Sequence, residues 1–254
     1  MSRLFSAVVI ISFLLLELTL LVRAVQGRLL REFPLFYSFA AYMLLSWIPV
    51  TGMYLCASPY YARAFWFRFL LSTLVEFAVL VEISDHIFEP YPAIRRLGRF
   101  LTLGICTTFF LVYVLPSFWE PRSASLMMLD FVKRTSLTKA VTILTLLTAA
   151  YYYRLPLGKN ISGVALGFSA YLGISIINFA SAEKYGPALY ARTLSIVWPL
   201  SYALALLIWT ITLWRYEPVI TRSHALSERG EEISGPLSGR LGRFNTMLMR
   251  LLRR

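Results

Sequence analysis

The segment "VEFAVLVEISDHIFEPYPAIRRLGRF", residues 75–100, sets Glu76, Glu82, Asp85, His86 and Glu89 into or beside a run of Leu, Val, Phe and Ile. Ionisable groups in an apolar helix are costly, and they mark either a structural pair or a working site. Glu82, Asp85, His86 and Glu89 fall at i, i+3, i+4 and i+7, so they share one helical face. A carboxylate four residues before a histidine can offer two ligands to one metal, with a third from another helix, as in ferritin-like bundles. Only two histidines occur in the chain, and the second, His224, lies in a polar tail. No matching Glu-x-x-His pair occurs on another apolar stretch. The favoured reading is therefore an acidic helix end facing Arg95, Arg96 and Arg99, with Asp85, His86 and Glu89 interfacial and open to water. Neither a metal nor another cofactor is expected.

The elements that must hold these residues are membrane helices. The chain is 58% hydrophobic and only 15% charged, with a mean hydropathy of +0.65, whereas soluble domains are about 45–50% apolar and about 25% charged. A membrane span needs about 20 mostly apolar residues. Seven stretches qualify, at 4–22, 35–55, 65–88, 98–117, 128–153, 160–180 and 189–214. The fifth is unusual because its first half, "MMLDFVKRTSLTK", is polar and carries Asp130, Lys133, Arg134 and Lys139. The expected fold is an all-α, seven-helix transmembrane domain over residues 1–216. A polar linker at 217–239 and a short amphipathic helix at 240–254 follow it. The apolar run near the N-terminus is too long for a signal h-region and reads as a retained anchor. Cys56 and Cys106 read as buried apolar thiols rather than a disulfide framework.

The net charge of +12 lies in the loops and the tail, which is topology-setting charge rather than a nucleic-acid footprint. One set of loops holds Arg23, Arg28 and Arg31, then Arg95, Arg96 and Arg99, then Arg154 and Lys159, then the tail. The opposite set holds Arg3, Arg63, Arg68, Arg122, Lys184 and Arg192, plus Lys133 and Arg134 at the entrance of the fifth span, and is less dense and farther from the apolar ends. The positive-inside rule then puts the N-terminus outside and the C-terminus in the cytoplasm of a multi-pass membrane protein. In the tail "RLGRFNTMLMRLLRR", Leu241, Phe244, Leu248, Leu251 and Leu252 form one helical face. Arg240, Arg243, Arg250, Arg253 and Arg254 spread over the other, the pattern of a helix lying on anionic headgroups or meeting a partner.

Depth follows from the helical rise of about 1.5 Å per residue. Glu82 then lies about 9 Å inside the inner end of the third span and Glu76 about 18 Å, close to the midplane. Lys139 lies about 21 Å above the inner end of the fifth span, at a depth similar to Glu76. A Glu76–Lys139 ion pair is expected, with Arg134 one turn further out as a substitute partner. Glu17, near the inner end of the first span, is expected to pair with Arg23 or Arg99. In the sixth span, Gly163, Gly167, Ser169 and Gly173 supply small residues for helix packing. Trp198-Pro199 signals a kink in the seventh.

Several chemistries are excluded by the residues that they need. The seventh span has no lysine for a retinal Schiff base. One interfacial histidine cannot supply an intramembrane zinc amidase or a bis-histidine haem. Neither the serine motif of an intramembrane protease nor a phosphate-binding loop occurs. No catalytic residues are assigned, and an enzyme is not expected.

Through "EISDHIFEPYPAIRRLGRF" and "LPLGKNISGVALGFSAYLG" the chain resembles a family of seven-span membrane proteins from environmental bacteria with no assigned activity. The resemblance covers most of the membrane part and implies a fold without catalytic residues. The charged fifth span and the arginine-rich tail depart from the family's pattern. The expected function is that of a non-enzymatic sensor-like module or accessory subunit, with a protein partner or larger membrane complex and anionic lipid at its cytoplasmic face. The alternative is a small transporter or proton-conducting protein with an interior polar track through Glu76, Glu82 and Lys139.

Overall fold

The computed structural model describes residues 3–214 apart from 28, 57, 90, 110, 113–123, 154, 156 and 186, and beyond them 243, 246 and 247. Side chains at 3–11, 54, 55, 62, 66, 124–130, 179–185, 187–196, 198 and 199 are also outside the described set. The fold is all-helical, and no strand occurs among the described residues. Among the described residues seven long helices follow one another: α1 (Arg3–Gln26), α2 (Pro34–Leu55), α3 (Tyr61–Ile87), α4 (Pro92–Phe109), α5 (Ala124–Tyr152), α6 (Lys159–Tyr185) and α7 (Pro187–Trp214). A single 3-10 turn, Leu29–Arg31, links α1 to α2. The linker and most of the tail helix, including Arg240, Arg250, Arg253 and Arg254, lie outside the described residues. Arg243 is helical and exposed.

Among the described residues, three windows are long and apolar enough to cross a membrane: Pro34–Met53, Arg63–Ile87 and Lys159–Asn178. The helices begin where the backbone finds it easiest. Pro34, Pro92 and Pro187 each open a helix, since proline presets φ there and its missing N–H is one that the first turn leaves unbonded anyway. For that reason α4 starts at Pro92 rather than 98, and Arg95, Arg96 and Arg99 belong to its first turns instead of a loop. Helix α7 runs on through Trp198-Pro199.

The helices pack as a ring in which α1, α2, α3, α5, α6 and α7 each touch the next and α7 returns to α1. α4 lies against α3, and α3 also reaches α6, which makes α3 the hub. The tightest contact joins α6 to α7. Trp209, fully buried, packs on Phe168 and Phe36 with ring centroids 5.0 and 5.1 Å apart. Its indole N–H donates to the Val164 carbonyl at 3.1 Å. A Cβ at Gly167 would collide with the Trp209 indole, and one at Gly163 with Thr212. Ser169 instead bonds its own helix at Ala165, and Gly173 has open space around it. The small residues of α6 are therefore required on one turn and optional on the next.

Thermal unfolding in detergent should separate these positions. Gly167→Ala is expected to destabilise by about 1–3 kcal/mol through overpacking. Gly173→Ala should be neutral, or stabilising by up to about 1 kcal/mol from helix propensity.

Candidate functional site

Helix α5 turns its polar residues inward. Thr135, Ser136, Lys139 and Thr142 are buried, while Arg134, Leu137, Val141 and Leu144 face outward. The hydroxyls of Thr135 and Thr142 donate to carbonyls one turn back, at 2.6 and 2.8 Å, so they cost little in an apolar setting. On α3 the facing residues Ser72, Thr73 and Glu76 are equally buried. Where the two faces meet, Lys139 Nζ donates to Glu76 Oε2. Both residues are 4% exposed. Removing either partner would leave an uncompensated charge in the interior, the most expensive state available to it. Arg134, the expected substitute, is exposed.

Glu82 has a role that its spacing did not indicate. Its two carboxylate oxygens accept the backbone N–H groups of Leu35, at 2.9 Å, and Phe36, at 2.8 Å. These are second- and third-position amides of α2, counted from Pro34. The first amides of a helix have no partner within it, and the helix dipole favours negative charge there. A capping side chain is normally supplied by Ser, Thr, Asp or Asn just before the helix, but α2 is preceded by Phe33. Glu82 thus caps α2 from a different helix. With both oxygens accepting amides, the Glu82 carboxylate is engaged with α2 rather than paired with His86. The His86 ring meets the Glu82 carbonyl through Nδ1 at 2.8 Å and stacks on Phe33 with centroids 4.8 Å apart. Among the described residues no group of three or more His, Cys, Asp and Glu gathers in metal-binding geometry.

Asp85 is buried rather than open to water. It accepts from Arg99 Nε at 2.8 and 2.7 Å and from a terminal nitrogen of the same guanidinium, and Arg95 Nε lies 3.4 Å away. Burial follows from the early start of α4, which lays two basic turns across the end of α3. Ser84 and Gly98 approach so closely that a Cβ at Gly98 would press on the Ser84 hydroxyl. Arg96 and Glu89 point outward and are exposed.

Three further expectations are corrected. Glu17 meets neither Arg23 nor Arg99. It accepts the Tyr202 hydroxyl of α7 at 2.5 Å, while Arg23 donates to the Trp214 carbonyl at 3.0 Å and Arg99 is taken by Asp85. Arg68, counted above among topology-setting charges, is buried. α3 already begins at Tyr61, so Arg68 lies about two turns inside the helix and projects into the bundle. Its guanidinium carbon lies 4.1 Å over the Trp47 ring, and its Nε donates to Ser46 Oγ at 2.9 Å. The signal in the sequence was the aromatic run "FWFRFLL" around Arg68, which fits a packed arginine better than a loop charge. Cys56 is exposed and Cys106 half-buried, not both buried as expected.

Comparison of the chain with known protein families, with curated proteins and with solved structures gives no match. The geometry therefore has to carry the functional reading by itself.

The Glu76–Lys139 pair predicts a specific double-mutant cycle. Glu76→Gln and Lys139→Met alone should each cost about 3–5 kcal/mol, and the double substitution should recover most of that loss. Additive losses in chemical denaturation would show that the two groups act separately.

Proposed function

We propose that the chain is a non-enzymatic, seven-crossing protein of the bacterial inner membrane, with its N-terminus outside and its C-terminus in the cytoplasm. It serves as a sensor-like module or accessory subunit and passes information or anchorage to a protein partner through its basic tail. One observation carries this reading: each buried acid of α3 is held by a different helix. Glu76 is held by Lys139 of α5, Glu82 by the amides of α2, and Asp85 by Arg95 and Arg99 of α4. A carboxylate so engaged is a structural tie rather than a general base, a nucleophile or a metal ligand. The same ties weaken the alternative of a conducting track, which needs Glu76, Glu82 and Lys139 to exchange partners during turnover. The tail supplies the outward-directed feature, an arginine-rich amphipathic pattern after Trp214 suited to an anionic leaflet or an acidic partner surface.

Affinity capture with the full-length protein and with a chain ending at Trp214 tests the role of the tail. Partners present only with the full-length chain are expected, and identical partner sets would overturn the reading. Orientation has its own check. Cys56 is exposed beyond the end of α2, so in a Cys106→Ala background a membrane-impermeant maleimide should label it on intact spheroplasts. A cysteine added after Arg254 should react only after permeabilisation. The reverse pattern would invert the topology.

A further inference from the structure

Helix α4 sits outside the ring, packed chiefly along α3, and leaves one long face uncovered. Arg96, Phe100, Leu103 and Thr107 stand at i, i+4, i+7 and i+11, one column down that face, and all four are exposed. The adjoining column, Leu97, Leu101, Gly104 and Thr108, is exposed as well. Phe100 is 66% exposed and Leu101 59%, and a Cβ at Gly104 would meet nothing within 4 Å. Three guanidiniums, those of Arg95, Arg96 and Arg99, crown this strip at its Pro92 end. Asp85 accepts from Arg99 and lies beside Arg95 Nε, yet 51% of the Arg99 side chain and 40% of the Arg95 side chain stay exposed. Among the described residues nothing accepts from the remaining nitrogens of Arg95 and Arg99, and no acid pairs with Arg96. Even with the exposed Glu89 counted, the three arginines leave this corner with an excess of positive charge.

A basic patch alone would suit many anions, and an apolar face alone any hydrocarbon. Here the two are stacked along one axis. The exposed column runs about 16 Å from Arg96 to Thr107 at the helical rise of about 1.5 Å per residue. One leaflet contributes about 15 Å, half of a bilayer's hydrocarbon thickness of about 30 Å. A ligand with an anionic head and chains of leaflet length therefore answers both parts. Arginine forks match phosphate oxygens with paired hydrogen bonds, and basic clusters beside membrane helices favour anionic headgroups. A zwitterionic headgroup would bring its own cation into a corner that already holds too many. We propose that α4 carries a binding site for an anionic phospholipid. Its phosphate is held by Arg96 with the free nitrogens of Arg95 and Arg99, and an acyl chain lies along Phe100, Leu103 and the open surface at Gly104. The site rests on the reading of the chain as a membrane-crossing protein. It gives the bundle a fixed lipid contact separate from the tail. Because Arg95 and Arg99 also hold Asp85, the bound headgroup sits on the joint between α3 and α4.

Native mass spectrometry of the full-length protein, stripped of lipid in a neutral detergent, tests this by titration with dioleoyl phosphatidylglycerol and dioleoyl phosphatidylcholine. Phosphatidylglycerol is expected to bind at least tenfold more tightly. Arg96→Gln, at a side chain that holds no other residue, should weaken phosphatidylglycerol binding at least fivefold and leave phosphatidylcholine unchanged. Arg96→Lys, which keeps the charge but loses the fork, should fall between. Arg63→Gln, at an exposed arginine near the far end of α3, should change neither. Glycerol phosphate, the same phosphate without chains, should compete at least a hundredfold more weakly. Equal affinity for the two lipids, indifference of phosphatidylglycerol binding to Arg96→Gln, or competition by glycerol phosphate at matching concentration would overturn the site alone. Binding of neither lipid would overturn it together with the membrane-crossing reading beneath it.

Discussion

The interior arrangement depends on the Glu76–Lys139 contact. A lysine and a glutamate at matching depth make the polar first half of α5 admissible inside an apolar bundle, because the charge of each helix is compensated by the other. The pairing also fixes rotation. With Lys139 turned to α3, Thr135, Ser136 and Thr142 must face inward as well, and Leu137, Val141 and Leu144 must face outward. In water such a helix would bury the opposite side. Here the usual amphipathic rule is inverted, with Leu137, Val141 and Leu144 exposed and Thr135, Ser136 and Thr142 buried.

The same helix supplies the next two ties, and they differ in kind. Glu82 holds α2 by its backbone, so the contact specifies where that helix begins rather than which side chain it carries. Asp85 holds α4 by two arginines on successive turns, which fixes both the position and the tilt of a helix that packs chiefly along α3 and meets α5 through Phe109 and Phe131. Glu17 and Arg68 contrast with all of these. They are as buried as the paired groups, yet each is held by neutral partners.

Much of the helical layout was legible in the sequence because a continuous apolar run can satisfy its backbone in lipid only as a helix. Helix starts were less legible. The arginines at 95, 96 and 99 look like loop residues by hydropathy, and only Pro92 signals that the helix has already begun. The depth count that sets Glu76 beside Lys139 uses nothing but the helical rise, and the structure has the two side chains in contact. Glu82 escaped because spacing on its own helix grouped it with Asp85, His86 and Glu89, whereas its partner is a row of backbone amides. The uncapped start Phe33-Pro34 was the available clue. Arg68 and Glu17 escaped for a related reason. Their partners, Trp47, Ser46 and Tyr202, are neutral residues on distant segments, and complementarity of charge gives no direction toward them.

The ring closes where the first helix meets the last, through Glu17 with Tyr202 and Arg23 with the Trp214 carbonyl. The residues that answer α1 are therefore the last of the bundle to leave the ribosome. Until α7 is made, Glu17 lacks the hydroxyl that it accepts in the finished bundle and Arg23 lacks its carbonyl. The first helix is thus satisfied only by the last, so the bundle closes as a whole rather than helix by helix.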